Sequence, residues 1–401
     1  MITLGKLKDA AEVLKDTVRR TDLILAEKLM ENGNLYLKVE NLQVTGSFKV
    51  RGASYKIANL PDEEKAKGVI ACSAGNHAQG VALASQKNNI KATIFIPATA
   101  PISKVEATRK YGAEIKLIDG VYDDAYNAAV EYQKETGATF VHPFNDEDVI
   151  AGQGTIGLEI LEELPDVEAV VVPIGGGGLI AGVAAAIKQL KPDCKVYGVQ
   201  AIGASSMQQS YKQNHVIELP TVHTFADGTA VKRPGDLTFD LCSKYVDDIV
   251  TVHDDEIASA ILSLMEQEKL VTEGAGALSV AAVLFDKLPI KDKKTVCILS
   301  GGNIDVNILS RVINRGLLKS GRMSHLTIEL LDKPGQLKEV SSIIAEYGAN
   351  VIRVRHTQGG EGTDINDCYL KISMETKDSE HFELIQKELT RRGYKITSNT
   401  Q

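Results

Sequence analysis

The sequence of 401 residues contains no tryptophan, and aromatic residues make up only 5% of it. We therefore expect a core built from alanine, valine, isoleucine and leucine. No apolar run approaches the roughly 18 residues that span a bilayer, so no membrane segment is expected. The amino-terminal stretch mixes charged and apolar residues and lacks the apolar block of a signal peptide.

An excess of basic residues is also lacking, because 45 Lys and Arg stand against 53 Asp and Glu, for a formal net charge of −8. Nucleic-acid-binding proteins usually carry a basic balance or a basic stripe, so nucleic acid is not expected as a partner. The cysteines are scattered and have no CxxC spacing, which is typical of reduced, mostly buried thiols in a cytoplasmic protein. They are Cys72, Cys194, Cys242, Cys297 and Cys368.

The chain is 43% hydrophobic and contains 34 glycines, enough for a sizeable core with many tight turns. Its length indicates two or three domains. Short β-branched runs alternate with helical patterns, which predicts an α/β fold of parallel sheets covered by helices on both faces. The predicted strands are residues 68–72, 91–96, 168–173, 195–199 and 294–300. The predicted helices are residues 80–87, 104–111, 122–136, 180–190 and 254–269.

The pattern changes near residue 320, where residues 319–324 are polar, contain glycine and lack periodicity, as linkers do. Strands are then predicted at 325–331, 350–355, 366–374 and 394–397, helices at 334–347 and 379–392, and a polar turn at 358–364. This βαββαβ order over residues 325–401 predicts a ferredoxin-like unit.

Four consecutive glycines, Gly175 to Gly178, follow an apolar run and precede a helical pattern. Glycines at a strand–helix junction let several backbone N–H groups converge, and the helix dipole adds positive charge there. The segment therefore predicts an anion cradle, most often for a phosphate. A tight turn is the alternative, although a turn needs only one or two glycines. No Lys-Ser or Lys-Thr pair follows the glycines, which excludes a nucleotide P-loop.

A second glycine pattern, GxGxxG at residues 152–157, has the formal signature of a dinucleotide-binding turn. It does not follow a clear strand, and no acidic residue lies about 20 residues after it, as that fold requires. We therefore interpret it as part of the amino-terminal segment of a helix.

Further candidate chemistry lies outside the glycine patterns. Lys49 alone would usually be solvated, but Ser73, Asn76 and the free N–H groups of a predicted helix start could hold a carboxylate near it. His77 is either part of this site or a helix-capping or surface residue. Ser300 lies at the C-terminal end of a predicted parallel strand, where a side chain points into the ligand crevice of an α/β sheet, and an ordinary turn is the alternative. The segment EGAGA at residues 273–277 is a weaker signal of the same kind.

Together, the segments GSFKVRGA, SAGNHAQG, PIGGGGLIAG and LSGGN resemble the threonine dehydratases in order and spacing. These are pyridoxal-phosphate enzymes of the tryptophan-synthase-β-like fold, or fold type II, a family that includes serine racemase. The resemblance covers about residues 1–320. It implies a two-lobed parallel-sheet catalytic domain, with a small lobe at about 50–150 inserted in the large lobe. Residues 325–401, with DKPGQL at 332–337 and GANV at 348–351, resemble an ACT domain, which commonly binds an amino-acid regulator.

The resemblance also implies a role for each matching residue. Lys49 is implied to form the Schiff base with pyridoxal phosphate and later to take the Cα proton of the substrate. The implied cofactor-binding residues are Lys49, Phe48, Asn76, Gly175, Gly176, Gly177, Gly178, Leu179 and Ser300. The residues implied around the substrate carboxylate are Ser73, Gly75, Asn76 and His77, and the implied catalytic residues are Lys49, Ser73 and Asn76.

The implied reaction is the elimination that converts L-threonine to 2-oxobutanoate and ammonia, and serine less readily to pyruvate. A serine dehydratase, a serine racemase-like enzyme and an amino-acid-sensing protein are the alternatives. Ala74 stands where the racemases carry a serine as second acid/base, and residues 200–206 lack the carboxylates of the racemases' metal site. We therefore predict no metal ligands of that divalent type, and a monovalent ion held by backbone carbonyls is the alternative. The implied partners are a small amino-acid substrate, an effector near residues 332–337 and Asn350, and further copies in a homodimer or homotetramer.

Overall fold

The computed structural model describes residues 2–30, 34–358 and 367–400. Contacts divide the chain into two compact units, one ending at Asp305 and the other beginning at Val306. The second unit therefore includes the helix at Val306–Lys319, which the sequence analysis did not predict and which precedes the predicted linker. In the described part of the chain, no helix is long and apolar enough to cross a membrane.

In its described residues, the first unit contains ten strands, which form a large and a small sheet. They are β1 (Leu23–Leu25), β2 (Leu35–Lys38), β3 (Val69–Cys72), β4 (Ala92–Pro97), β5 (Glu114–Ile118), β6 (Thr139–Phe140), β7 (Ala169–Pro173), β8 (Lys195–Ala201), β9 (Asp248–Val252) and β10 (Thr295–Ile298). The large sheet has the order β1-β2-β10-β7-β8-β9, and the small sheet has the order β5-β4-β3-β6. The predicted parallel α/β architecture is thereby confirmed.

The large sheet departs from an all-parallel arrangement at one edge, where β1 pairs antiparallel with β2. Its other neighbours are parallel. Strand β10 lies between β2 and β7, with Thr295 opposite both Leu35 and Ala169. Val170, Val196 and Val296 are among its fully buried residues, as expected for a sheet covered on both faces. The last strand of the unit in sequence is therefore central in the sheet.

The helices of the first unit cover these sheets. They are α1 (Leu4–Leu14), α2 (Lys49–Ala58), α3 (Asp62–Lys67), α4 (Asn76–Lys87), α5 (Ile102–Arg109), α6 (Tyr122–Thr136), α7 (Glu147–Glu163), α8 (Gly178–Leu190), α9 (Ser206–Gln213), α10 (Asp236–Tyr245), α11 (Asp254–Ser263) and α12 (Gly274–Leu284). Helix α11 continues as a π-helical segment over Leu264–Glu268. The small sheet and its strands fall within residues 69–140, inside the range predicted for the small lobe.

The GxGxxG pattern at residues 152–157 lies within α7 and serves close helix packing. A Cβ on Gly154 would lie 2.8 Å from the carbonyl oxygen of Gly182 in α8, and one on Gly182 would lie 2.3 Å from that of Ile150. A Cβ on Gly152 would lie 2.7 Å from the carbonyl oxygen of Arg51 in α2. Helix α7 thus fits against two other helices at distances that no larger residue permits.

A buried ion network holds α2 against α7 and the segment after β2. Arg51 has no exposed surface, and its guanidinium lies 2.8 Å from Glu40 Oε1 and 2.6 Å from Glu159 Oε1. Lys38 is equally buried and lies 2.8 Å from Glu159 Oε2. Because each charge has a partner, the network fixes the helix that begins at Lys49.

The second unit contains the unpredicted helix and a ferredoxin-like unit. Its elements are α13 (Val306–Lys319), β11 (Met323–Leu331), α14 (Gln336–Glu346), β12 (Asn350–Gln358), β13 (Asp367–Glu375), α15 (Ser379–Arg391) and β14 (Lys395–Thr400). The antiparallel sheet has the order β12-β13-β11-β14. The predicted βαββαβ order is confirmed, whereas the predicted turn at 358–364 lies, beyond Gln358, outside the described residues.

Candidate active site

The predicted site segments all follow strands or begin helices of the first unit. Ser73 follows β3, the four glycines follow β7, and Ser300 follows β10. Loops at the carboxyl ends of parallel strands form the ligand crevice of such sheets. The segment that precedes Lys49 is tied to the one around Ser300, because Phe48 N donates to Ser300 O at 3.1 Å and Ser47 forms a β-bridge with Gly301.

Lys49 is the first residue of α2 and is partly buried. Its Nζ donates to the carbonyl oxygen of Pro143 at 2.8 Å. Burial lowers the pKa of Lys49 to about 8, although the charge of Glu273 opposes the effect. An amine whose pKa lies this close to neutrality is available as a nucleophile or a base.

The glycine segment has room for backbone but not for side chains. A Cβ on Gly176 would lie 2.4 Å from the ring of Phe144, and one on Gly178 would lie 2.9 Å from Cα of the same residue. Gly177 has a φ of 98°, in the left-handed region that favours glycine. Helix α8 begins at Gly178. The N–H groups and the helix dipole thus form a cradle suited to a phosphate.

Asn76 belongs to a chain of hydrogen-bonded side chains that no sequence motif links. Its Nδ2 donates to Glu273 Oε1 at 2.7 Å, and its Oδ1 accepts from Asn303 Nδ2 at 2.7 Å. Glu273 N also donates to Gly301 O at 3.1 Å. Both ends of the Asn76 amide are therefore held, which fixes its orientation beside the segment that carries Ser300.

Glu273 is a carboxyl group in an unusual environment, with a side chain that is 5% exposed. Burial raises the pKa of Glu273 to about 7, and the charge of Asp227 adds to the increase. The hydrogen bond from Asn76 acts in the opposite direction. The segment EGAGA is only a weak signal in the sequence, and the folded chain shows that its glutamate supports Asn76.

The residues predicted to surround the substrate carboxylate lie at the start of α4. Gly75 N donates to Ser73 Oγ at 3.1 Å, and beyond its chain neighbours no other part of the protein lies within 4 Å of the position that a Cβ on Gly75 would occupy. The opening beside the first turn of α4 offers free N–H groups, as a carboxylate site requires. The structure therefore brings Ser73, Gly75 and Asn76 together at an accessible helix start.

His77 is buried rather than at the surface, with 3% of its area exposed. Its Nε2 lies 2.8 Å from the carbonyl oxygen of Val141, so this nitrogen carries the hydrogen. Burial lowers the pKa of His77 to about 3, and the charge of Lys49 lowers it further. The ring is therefore neutral at pH 7, and its Nδ1 has no hydrogen-bond partner among the described residues.

The remaining predicted residues line the same region. Ser300 is 3% exposed, and its Oγ donates to the carbonyl oxygen of Ala275 at 3.3 Å. Phe48 is partly buried, and Lys49 Nζ lies 5.3 Å from the centre of its ring. Leu179 packs in the core of the large lobe. An amine, a phosphate cradle, a fixed amide and a buried hydroxyl thus occur in one unit, and this donor set fits pyridoxal phosphate.

Comparison with known proteins gives the same assignment. The sequence matches the family described as pyridoxal-phosphate dependent enzyme over residues 14–301. It is 53% identical over 398 residues to L-threonine ammonia-lyase of Thermotoga maritima, covering 99% of both chains. The structure resembles the processed form of threonine deaminase isoform 2 from Solanum lycopersicum, with a TM-score of 0.74 and 42% identity over 77% of this chain and 87% of that chain. It also resembles maize serine racemase, with a TM-score of 0.74 and 37% identity over 78% and 97% of the two chains.

The resemblance indicated by the four motifs is confirmed, whereas the ACT domain and the individual site roles stay predictions. The family match covers both sheets of the first unit and reaches from α1 to Gly301. The chain therefore belongs to the family of pyridoxal-phosphate dependent enzymes.

Proposed function

We propose that this chain is a pyridoxal-phosphate-dependent threonine ammonia-lyase, which converts L-threonine to 2-oxobutanoate and ammonia by α,β-elimination. The observation that carries the proposal is the partly buried Lys49 amine in a site with a glycine cradle. The choice of threonine is supported by the relative named L-threonine ammonia-lyase, which is similar over 99% of the chain.

Lys49 is proposed to hold the cofactor and to move the substrate's Cα proton. With a pKa of about 8, its amine is neutral in about one molecule in ten at pH 7. A lysine with the ordinary pKa of 10.5 would be neutral in only about one molecule in 3,000. A neutral amine can attack a carbonyl carbon and can later accept a proton from Cα.

The glycine cradle is proposed to hold the cofactor phosphate through N–H groups of Gly175 to Gly178. When bound, pyridoxal phosphate supplies the electron sink that stabilises negative charge at Cα. Ser300 would offer the pyridine nitrogen a neutral hydroxyl rather than a carboxylate. Because a hydroxyl does not force that nitrogen to be protonated, it favours prompt loss of the β-hydroxyl after the Cα proton has been removed.

Substrate orientation is assigned to the start of α4. The carboxylate of the amino acid would accept from N–H groups near Gly75 and from Ser73 Oγ, in the open space beside Gly75. Asn76 would contact the cofactor ring while Glu273 and Asn303 hold its amide. His77 is neutral at pH 7, so its contribution would be as a hydrogen-bonding group rather than as a charge.

Replacement of Lys49 tests the proposal. We expect Lys49→Ala to lower the rate of 2-oxobutanoate formation by about 100-fold or more, because the base is lost. The same variant should not retain the absorbance of enzyme-bound cofactor after dialysis. Lys8→Ala, which removes an exposed lysine of α1, is the matched control. A Lys49→Ala enzyme with ordinary turnover, or an unmodified enzyme that binds no pyridoxal phosphate, would contradict the proposal.

A racemase is the second candidate, since one similar structure is a serine racemase. Against it, Ala74 packs by its methyl group in the small lobe and cannot transfer a proton. We expect Ala74→Ser to increase the formation of D-serine from L-serine, measured by a chirality assay. Substantial racemisation by the unmodified enzyme would mean that another group supplies the second proton.

Serine turnover and regulation are further parts of the proposal. The ferredoxin-like unit is proposed to act as an ACT domain that binds an amino acid near residues 332–337 and Asn350 and alters the activity of the first unit. Steady-state assays with threonine and serine, with and without isoleucine and valine, test both points. Activity that no amino acid alters would count against the regulatory role.

We also propose that the enzyme works in the cytoplasm as a homodimer or homotetramer. Each of the five cysteines is buried, and none forms a disulfide in the described residues, which suits a reducing compartment. The oligomer is proposed because ACT-like sheets commonly pair side by side. Light scattering of the full chain would measure its mass, and a monomer at working concentration would refute this assignment.

A further inference from the structure

Three side chains of different chemistry meet on one face of the C-terminal sheet. Leu330 of β11 is opposite Cys368 of β13, and His356 of β12 is opposite Leu370 of β13. Cys368 and Leu370 are two residues apart on β13, so their side chains point to the same face of the sheet. His356 is opposite Leu370 and therefore shares that face. Asp332 lies two residues after Leu330, just beyond the end of β11. The register thus collects the three side chains at one end of the sheet.

The ligand atoms of this cluster lie close together. The Asp332 carboxylate, an imidazole nitrogen of His356 and Sγ of Cys368 all lie within 4.8 Å of one another. Among the described residues, this is the one group of three or more His, Cys, Asp or Glu side chains with such spacing. Cys368 is 1% exposed, whereas the other two residues are exposed. The cluster thus reaches from the core to the surface.

The surroundings of the cluster resemble those of a ligand site. The three residues line a cavity of about 210 Å³, which also borders the turn before α14. Gln358 Nε2 donates to Asp332 Oδ2 at 3.2 Å and so holds one carboxylate oxygen. Outer hydrogen bonds of this kind orient metal-binding groups and increase their affinity.

We propose that Asp332, His356 and Cys368 bind a divalent transition-metal ion, with zinc as the best fit. Zinc is bound by cysteine, histidine and carboxylate at about 2.0 to 2.3 Å, so its ligand atoms lie about 3.3 to 3.7 Å apart in a tetrahedron. The three groups would have to approach by about 1 Å, which rotation of the exposed Asp332 and His356 side chains allows. Magnesium and calcium are disfavoured, because they prefer oxygen ligands throughout.

The fourth position of a tetrahedral ion would face the cavity. Three protein ligands and one open position are the pattern of zinc sites that bind water or a small ligand. This site lies in the second unit and uses no residue assigned to the reaction of the first unit. It shares Asp332 with the proposed amino-acid site at residues 332–337, so metal binding has to be measured directly and not through threonine turnover.

Equilibrium dialysis of the full-length, chelator-treated protein against Zn²⁺ tests the proposal, with metal analysis as the readout. We expect the unmodified chain to bind one Zn²⁺ ion at the cluster. When Co²⁺ replaces Zn²⁺, we expect the absorption spectrum of a tetrahedral site with a thiolate ligand. His356→Gln and Asp332→Asn alter exposed side chains and should each weaken binding by about tenfold or more. Gln358→Ala should weaken zinc binding by about tenfold, because the Asp332 carboxylate loses the hydrogen bond that orients it.

Two further variants decide between this site and binding elsewhere. Cys368→Ser should remove the cobalt–thiolate signal, whereas His325→Gln, which alters a histidine of the same sheet outside the cluster, should leave zinc affinity unchanged. Circular dichroism of each variant checks that it is folded. Unchanged zinc affinity in both His356→Gln and Asp332→Asn would overturn the proposal, as would a cobalt complex without thiolate ligation.

Discussion

Glu273→Gln should make the stability of the protein less sensitive to pH. The side chain of Glu273 is buried, accepts from Asn76 and lies near the charge of Asp227. Glutamine keeps an oxygen that can accept the same hydrogen bond and has nearly the same volume. It cannot ionise, so the substitution isolates the effect of placing a negative charge in this buried position.

The size and direction of the effect follow from the two pKa values. Burial raises the pKa of Glu273 from an ordinary 4.5 to about 7. A carboxyl group with a raised pKa contributes stability below its unfolded pKa and loses that contribution as pH rises through its folded pKa. At about 1.4 kcal/mol per pH unit, the loss between pH 4.5 and pH 7 is about 3 kcal/mol. The free energy of unfolding of the variant, relative to that of the unmodified chain, should therefore rise by about 3 kcal/mol over this pH range.

Denaturant unfolding of the cofactor-free protein between about pH 5 and pH 8.5 measures this difference. The free energies of the variant and the unmodified chain should diverge up to about pH 7 and run parallel above it. Glu63→Gln, which removes an exposed carboxylate of α3, controls for the general loss of one negative charge. A stability difference that stays constant across the whole range would refute the reasoning, because it would mean that Glu273 titrates alike in the folded and unfolded chains.

Two other substitutions probe the packing around the site. Gly176→Ala places a Cβ 2.4 Å from the Phe144 ring, so it should cost about 1 to 3 kcal/mol and weaken cofactor retention, measured by absorbance after dialysis. Full retention of the cofactor would show that the loop carrying Phe144 can move away from the added methyl group. Arg51→Met leaves the buried Glu40 without its guanidinium partner, while Glu159 keeps Lys38, and should lower the free energy of unfolding by about 3 to 5 kcal/mol. A loss below about 1 kcal/mol would mean that water replaces the guanidinium.

Local sequence signals predicted a large part of this structure. The helix expected at residues 122–136 is found with the same bounds, because a glycine in the left-handed region follows its last residue. The strands expected at residues 68–72 and 168–173 are found at Val69–Cys72 and Ala169–Pro173, each one residue shorter at its start. Glycines beside a strand end also marked the cradle after β7. These features depend on neighbours in sequence, so the pattern of residues is sufficient to indicate them.

Features that depend on distant residues could not be predicted. Asn76 and Glu273 are separated by 197 positions, and Asn303 is a further 30 positions away. Their hydrogen bonds arise only when the two sheets are assembled. Phe144 likewise leaves no room for side chains at Gly176 and Gly178, and it lies in a loop that has no sequence motif. His356 and Cys368 lie in two different strands and Asp332 follows a third, and no spacing rule joins them. The antiparallel edge strand β1 was missed because a strand of three residues has almost no periodicity.

The central place of β10 has a consequence for how the chain is made. Until residues 295–298 leave the ribosome, β2 and β7 each present one open edge, and an open edge invites pairing with other chains. Closing this gap joins segments that are more than 250 residues apart, which is a slow event in folding. Ser300 also emerges only then. Chains that terminate early would therefore aggregate or be degraded without taking up cofactor, and cofactor binding would report a completed catalytic unit.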